Sequence, residues 1–218
     1  MLLNEETLVR EVVKRIMEIQ AQGEKIFIPV GISNHHVHLC QADVEKLFGQ
    51  GYQLKVWREL SQPGYYAAEE TVVLVGPKGV LAEVRVLGPP RKNTQVELLI
   101  GDGYRLGLEL PVRESGSTEA SPCLTIVGPK GAVTMCHGVM AAARHIHMNS
   151  CDAQRWRIHE GELVRVRTTG ERSVVFNNVR VRIGDKYITE LHLDIEEANA
   201  ANLRAGDQVE LLLESDVN

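Results

Sequence analysis

Two segments of the chain, NHHVHLCQADVEKLFGQGYQLKV (residues 34–56) and ARHIHMNSCDAQRWRIHEGELVRV (residues 143–166), follow the same pattern. Each begins with two histidines separated by one residue, and an acid lies five positions after the second histidine. A short helical stretch, a glycine and an alternating strand complete each copy. A third, weaker copy, ELHLDIEEANAANLRAGDQVEL (residues 190–211), keeps His192 and has Glu197 at the acid position. Internal similarity of this kind indicates a duplicated fold unit.

Short apolar segments separated by Gly, Pro and Asn fill most of the remaining sequence. The predicted strands include IFIPVGI, TQVELLI and LGLELPV, and many short strands with frequent turns are typical of barrels and sandwiches. Short helices are predicted at about residues 41–48, 150–158 and 195–203, and VGPKG, which occurs twice, is predicted to be a turn between strands.

We therefore predict a mainly β protein with an internal repeat, built from two similar β-barrel domains with short capping helices. An N-terminal amphipathic helix, centred on residues 5–20, is expected to precede the barrels. The expected units are residues 1–24 for this helix, residues 25–143 for the first barrel and residues 144–218 for the second. The strand at residues 26–32 is a candidate to cross over and pair with the second barrel.

The composition excludes several classes of protein. The 218 residues are 44% hydrophobic and 24% charged, which rules out a disordered chain. No run of 18 apolar residues is present, so we expect no membrane contact. A net charge of -5 argues against a nucleic-acid partner, although a local arginine can still bind an anionic substrate.

The cysteines and the N-terminal residues favour a cytoplasmic protein. The first residues lack the apolar core of a secretory signal. The four cysteines, Cys40, Cys123, Cys136 and Cys151, have no metal-binding or redox spacing, and we predict that all four are free and serve as small packing residues.

The repeated histidines predict a metal site. Residues two apart on a strand point to the same face, so His36 with His38, and His145 with His147, can each direct two imidazoles to one centre. His192 occupies the matching position in the third copy. Neutral imidazole is a preferred ligand of zinc, and catalytic zinc sites commonly use three protein ligands. The alternative is that these histidines are exposed or hydrogen-bonded; His35, His137 and His159 lie outside the pattern.

The segment GPPRKNTQVELL (residues 88–99) adds an anion-binding residue and a carboxylate. Its turn projects Arg91, whose planar guanidinium binds phosphate with two hydrogen bonds. Glu97 follows on a strand and is a candidate sixth metal ligand. An ordinary solvated ion pair between Arg91 and Glu97 is the alternative interpretation.

Four blocks of the chain resemble the PduL-type phosphotransacylases, also called phosphate propanoyltransferases. The blocks are GISNHHVHL, GPPRKNTQVEL, ARHIHM and HLDIEEANA, and the resemblance extends from about residue 28 to residue 212. It implies two similar barrels with a dinuclear metal site, expected to hold zinc. It also implies an acyltransferase that interconverts a short-chain acyl-CoA and phosphate with an acyl phosphate and CoA.

The resemblance also assigns residues. It implies one divalent ion on His36, His38 and Glu97 and a second on His145, His147 and His192, with Arg91 holding phosphate. Gly31, Ile32 and Ser33 resemble the CoA contact of the family, and Asn199 is a further candidate for CoA binding. The family usually has Arg before the first histidine pair, where this chain has His35, so less positive charge is expected there.

The implied reaction is a direct attack by phosphate on the thioester in a ternary complex, with Arg91 and Ser33 as the candidate catalytic residues. Ser33 or a cysteine as a covalent nucleophile is a minority alternative, since no base is obviously paired with either. A metal-dependent hydrolase and a non-catalytic metal-binding or CoA-binding module also remain open.

Residues 1–20 have two interpretations. They either pack on the barrels or on a second copy of the chain, or they resemble the leading helix that takes some family members into bacterial microcompartments through core or shell proteins. The expected location is therefore the cytoplasm, including the interior of such a compartment. The sequence leaves the acyl chain length, the metal and the oligomeric state undetermined.

Overall fold

The computed structural model describes residues 25–117 and 121–212, so the predicted helix at residues 5–20 lies outside the described residues. The described residues form fifteen strands and four short helices, which confirms the mainly β class. The strands are β1 (Ile26–Ser33), β2 (His36–Cys40), β3 (Val56–Glu59), β4 (Tyr66–Val75), β5 (Val80–Arg91), β6 (Gln95–Glu97), β7 (Val112–Arg113), β8 (Leu124–Val127), β9 (Ala132–Met135), β10 (Val139–Ala142), β11 (His145–Asn149), β12 (Leu163–Arg167), β13 (Val175–Gly184), β14 (Glu190–Asp194) and β15 (Gln208–Leu212). The helices are α1 (Gln41–Phe48), α2 (Ile100–Leu106), α3 (Ser150–Trp156) and α4 (Ile195–Ala200).

Six strands close a barrel in the order β1, β14, β11, β13, β12 and β15. The first strand of the described chain belongs to this barrel, where β1 runs parallel to β14 and antiparallel to β15. Its alternating sequence explains the placement. Ile26, Ile28 and Val30 are buried in the barrel core, whereas Phe27, between Ile26 and Ile28, is exposed. The described chain therefore passes first through the barrel, leaves it to form the other sheet, and returns.

The other strands form a nine-stranded sheet in the order β7, β10, β6, β2, β5, β4, β8 and β9, with β3 paired to β4. Of the two similar β-barrels predicted, one is confirmed as a closed barrel; the described strand pairs of the other unit form an open sheet. Strand β1 pairs within the barrel, which confirms the predicted crossover of the strand at residues 26–32. The boundary between residues 143 and 144 stays a prediction.

Two repeated turns hold helix ends in the first sheet. In each VGPKG turn the lysine N–H donates to the carbonyl oxygen at a helix C-terminus: Lys78 to Leu106 at 3.0 Å and Lys130 to Leu47 at 2.9 Å. These bonds satisfy carbonyl groups that a helix leaves unpaired at its end. The prediction that VGPKG is a turn is confirmed, and its duplication serves two helices.

Two sequence expectations about the region after β6 are wrong. TQVELLI was expected to be a strand through residue 100, but β6 ends at Glu97 and α2 begins at Ile100. The carboxylate of Asp102 accepts a hydrogen bond from the Leu99 N–H at 3.1 Å and caps this helix. LGLELPV was expected to be a strand, but in this segment only its last residue, Val112, belongs to a strand, the two-residue strand β7.

The expectation that all four cysteines are free is wrong for two of them, and the expectation that they are packing residues is wrong for Cys151, which is exposed. Cys123 and Cys136 form a disulfide, whereas Cys40 and Cys151 are free. Leu124 and Met135 are opposite each other in the β8–β9 hairpin, so the two cysteines occupy the next facing position.

Within residues 25–117 and 121–212, none of the helices has the length and the apolar composition that a membrane-spanning helix requires.

Candidate metal centre and anion site

The first histidine pair lies on the central strand of the open sheet. In the pairing of β2 with β6, His36 is directly opposite Glu97. The Nε2 atom of His36 is 3.3 Å from one oxygen of Glu97, and that of His38 is 3.8 Å from the other. All three residues are buried, and their ligand atoms lie within 4.8 Å of one another. Adjacent strands therefore bring two imidazoles and a carboxylate to one point.

The second histidine pair meets His192 in the barrel. The pairing of β11 with β14 places His145 directly opposite His192. The ring centroids of the three histidines are 4.6–5.1 Å apart, and their ligand atoms also lie within 4.8 Å of one another. Strand β10, which pairs with β6, continues through residues 143 and 144 into β11 and so connects the two groups.

One ring nitrogen is fixed in the same way in both copies of the repeat. His36 Nδ1 lies 2.7 Å from the carbonyl oxygen of Asn34, and His145 Nδ1 lies 3.0 Å from that of Ala143. In each case the carbonyl lies two residues earlier, so Nδ1 carries the proton and Nε2 is free to bind a cation. Histidines that bind metals commonly donate their second N–H to an acceptor in this way.

The protonation states also fit metal binding. Burial lowers the pKa of His145 to about 4 and that of His147 to about 3, with His192 reinforcing both shifts. Burial, followed by the charges of His36 and Arg91, holds the pKa of His38 well below its usual value. These three imidazoles are therefore neutral at pH 7, which is the form that binds metals.

The carboxylate of the first group is ionised in spite of its burial. Burial favours the neutral acid, but the neighbouring histidines His36 and His38 hold the pKa of Glu97 well below its usual value. Burial opposes protonation of His36 as well, but the charge of Glu97 together with the hydrogen bonds to Glu97 and Asn34 raises the pKa of His36. The donor set of two imidazoles and one carboxylate suits zinc and similar divalent ions.

Arg91 ends β5 beside the first metal-binding group. Its Nη1 donates to the hydroxyl of Ser115 at 3.1 Å, and that hydroxyl donates to Glu97 Oε1 at 2.8 Å. Burial lowers the pKa of Arg91, with Glu97 opposing the shift, but an arginine stays protonated at neutral pH. The structure thus places a desolvated guanidinium within two hydrogen bonds of the candidate metal ligand Glu97.

The sequence did not identify three residues around Arg91: Ser115, and two residues that bond to it, Gln95 and Arg182. Gln95 donates to the Ser115 hydroxyl at 2.8 Å and to Glu97 at 2.6 Å. Arg182, from the barrel, donates to the main-chain carbonyl of Ser115 at 3.3 Å. Gln95 shares a strand face with Glu97 and could have been identified from that spacing. Ser115 and Arg182 carry no local signal, because they reach the site only through the tertiary fold.

The residues assigned to CoA by resemblance lie at the end of the barrel next to His192. Gly31 is opposite His192 and Ser33 is opposite Asp194 in the pairing of β1 with β14, and Ile32 lies between them. The Ser33 hydroxyl donates to the carbonyl oxygen of Leu193 at 3.4 Å. Asn199 lies exposed on α4, which follows β14 directly.

The residues that precede the two histidine pairs have equivalent partners. His35 Nδ1 lies 3.1 Å from Asp102 of α2, and Arg144 Nε lies 3.1 Å from Glu197 of α4. Both side chains therefore contact a carboxylate in the first turn of a helix. His35, at the position where the resemblance led us to expect an arginine, therefore has an acidic partner as Arg144 does.

Comparison with known proteins gives a consistent result. A sequence model of the family described as phosphate propanoyltransferase matches residues 29–204. The phosphate propanoyltransferase of Thermotoga maritima is 49% identical over 183 residues, which cover 84% of this chain and 87% of the relative. That of Rhodopseudomonas palustris is 47% identical over 184 residues, covering 84% and 81%. That of Enterococcus faecalis is 42% identical over 199 residues, covering 91% and 92%. The resemblance seen in the sequence blocks is thus confirmed, and the chain belongs to the phosphate propanoyltransferase family.

Proposed function

We propose that this chain is an acyltransferase that interconverts a short-chain acyl-CoA and phosphate with an acyl phosphate and CoA. One observation carries the assignment of phosphate as the acyl acceptor. Two guanidinium groups from different parts of the fold, Arg91 and Arg182, meet at Ser115, which also contacts the candidate metal ligand Glu97. A phosphate dianion requires this kind of charge neutralisation before it can approach a thioester.

The two groups of ligands support a dinuclear metal centre. His36, His38 and Glu97 would hold one divalent ion, and His145, His147 and His192 would hold the other. A bound ion such as zinc supplies Lewis acidity at the thioester carbonyl, affinity for the departing thiolate, and positive charge near the phosphate.

The chain's own residues then align the two reactants. Arg91 binds phosphate with its remaining N–H groups and directs one phosphate oxygen toward the thioester carbon. A bond forms between that oxygen and the carbonyl carbon, the carbon–sulfur bond breaks, and the electron pair leaves with the sulfur of CoA. Holding both reactants in one complex removes the need for an acyl-enzyme. The Ser33 hydroxyl is directed to a main-chain carbonyl, which supports a binding role rather than a nucleophilic one.

The CoA side of the site is proposed to lie at the barrel end formed by Gly31, Ile32, Ser33 and Asn199. Gly31, Ile32 and Ser33 lie on the strand next to β14, which carries His192, and Asn199 lies on the helix that follows β14, so a thioester bound there would reach the second group of histidines.

Residues 1–20 are proposed to direct the enzyme into a bacterial microcompartment. The support is their amphipathic pattern and their likeness in length to the leading helices of some family members. Deletion of these residues should leave activity and solubility unchanged if they serve for targeting, and should impair both if they pack on the fold.

A CoA-release assay with several acyl-CoA substrates, with and without phosphate, tests the function. We expect thiol release that depends on phosphate and is lost after treatment with a chelator, together with two divalent ions in each purified chain. Release at an equal rate without phosphate would identify a hydrolase instead. Metal binding without turnover in either direction would identify a non-catalytic module.

A further inference from the structure

One carboxylate next to the second histidine group has no role in the function proposed above. Glu190 lies two residues before His192 on β14 and is opposite His147 in the pairing with β11. Its Oε2 lies 2.9 Å from His192 Nε2, a buried nitrogen that has no partner in hydrogen-bond geometry. The carboxylate is close to this ring, but it is not one of the three grouped ligands.

Glu190 is held in place by residues of the other sheet. Ser61, in the loop after β3, donates to Glu190 Oε2 at 2.5 Å, and Gln62 donates to the same oxygen at 3.4 Å. The Gln62 amide also bonds to the main chain of Ile188 in both directions, at 3.0 and 3.2 Å. The Glu190 carboxylate therefore accepts two hydrogen bonds from a loop that is distant in sequence from its own strand, β14.

The main chain of β1 at Gly31 passes close to the Glu190 carboxylate. A Cβ atom at Gly31 would lie 2.8 Å from the carboxyl carbon of Glu190. Any side chain at residue 31 would therefore displace the carboxylate, and glycine lets β1 pass close to it. Two separate segments, β1 with Gly31 and the loop with Ser61 and Gln62, thus contact the one acid beside His192.

The other histidines explain what such an acid does. His36 and His145 each place one ring nitrogen against the carbonyl oxygen two residues earlier, which leaves the other nitrogen for a cation. In His192 a side-chain carboxylate two residues earlier, that of Glu190, lies 2.9 Å from the ring nitrogen Nε2. A carboxylate that accepts the second N–H of a ligating histidine fixes the ring and increases its basicity.

We propose that Glu190 is a positioning residue for the second metal ion: it accepts the Nε2 proton of His192, leaves Nδ1 as the ligand atom, and is itself oriented by Ser61 and Gln62 of the first sheet. This inference rests on the proposed metal centre. It also makes the geometry of the second site depend on how the two units of the chain are docked.

Metal titration of the chelator-treated full chain tests the proposal, with Co²⁺ as the probe and its visible absorption as the readout. Glu190→Gln keeps the shape of the side chain and removes its charge. We expect it to weaken one of the two Co²⁺ equilibria about 10- to 100-fold and to change the absorption band of that ion alone. Ser61→Ala, which leaves β14 untouched, should weaken the same equilibrium about three- to tenfold, since it removes one hydrogen bond to a charged group.

Glu59→Gln is the matched control, because Glu59 is exposed on the neighbouring strand β3. It should leave both equilibria unchanged. If the wild-type chain binds two ions and Glu190→Gln leaves both affinities within about twofold, the role of Glu190 is refuted while the metal centre stands. If the wild-type chain binds no ion, the metal centre and the role of Glu190 fall together.

Discussion

Replacing Arg91 should separate phosphate-dependent transfer from simple thioester hydrolysis. Arg91 is partly buried and spends one N–H group on Ser115 at 3.1 Å, so its remaining N–H groups can form a two-bond contact with phosphate. A hydrogen bond to a charged group contributes about 1.5–3 kcal/mol, so two such bonds contribute about 3–6 kcal/mol. Because Arg182 remains nearby, we expect Arg91→Ala to lose about 3–4 kcal/mol, equivalent to about 10²- to 10³-fold in kcat/KM for phosphate.

The assay is thiol release from acyl-CoA at a series of phosphate concentrations. Arg91→Lys keeps the charge and loses the planar fork, so we expect an intermediate loss of about tenfold. Arg172→Ala is the matched control, since Arg172 is exposed, and it should behave like the wild type. Phosphate kinetics of Arg91→Ala within about threefold of the wild type would refute the assignment of the anion site.

The remaining predictions concern the metal ligands, pH, the hydroxyl at residue 115 and the disulfide. His147→Ala should reduce the metal content from two ions to one and lower turnover by about 100-fold or more; elemental analysis that still finds two ions would contradict the ligand assignment. The pKa values of His145 and His147 in the folded chain are about 4 and about 3, below the ordinary value of 6.5. At pH values between 4 and 6.5 the unfolded chain therefore binds more protons at these two histidines than the folded chain does. The metal-free protein should therefore lose stability as the pH falls from 6.5 toward 4, and a Tm that does not change in this range would count against buried neutral imidazoles. Ser115→Ala should raise the KM for phosphate about tenfold, and an unchanged KM would show that Ser115 does not orient the anion site. Thiol titration of the denatured chain should detect two thiols before reduction and four afterwards, and Cys123→Ser should destabilise the oxidised protein by about 2–4 kcal/mol; four thiols without a reductant would contradict the disulfide with Cys136.

The duplicated histidine pattern was sufficient to predict most members of the two candidate metal-binding groups, because the period of a strand determines which side chains share a face. The spacing alone predicts that His36 and His38 share one strand face, and that His145 and His147 share another. Glu97 was identified through the block in which it lies, and its position opposite His36 depends on a strand pairing that periodicity alone does not specify.

Long-range contacts account for most of what the sequence did not reveal. Ser115 lies in an irregular segment, and its importance depends on Arg91 and Arg182 approaching it from two different strands. Helix α2 was missed because the apolar run TQVELLI hides the end of the strand, and because Gly101 and Gly103 lower helix propensity.

The disulfide could have been found from the sequence. Once the VGPKG turn at residues 127–131 is taken as the tip of a hairpin, counting outward places Cys123 opposite Cys136. The general expectation of reduced cysteines in a cytoplasmic protein outweighed this local geometry.

The position of β1 constrains the order in which the molecule can be made. Ile26 pairs with Leu211, so the seam of the barrel joins two stretches of chain that leave the ribosome far apart in time. The open sheet can assemble while synthesis continues, but the apolar face and free edge of β1 must wait for β14 and β15. Cutting the gene between the two units would therefore give a second half whose barrel lacks a strand, and whose exposed edge would favour aggregation.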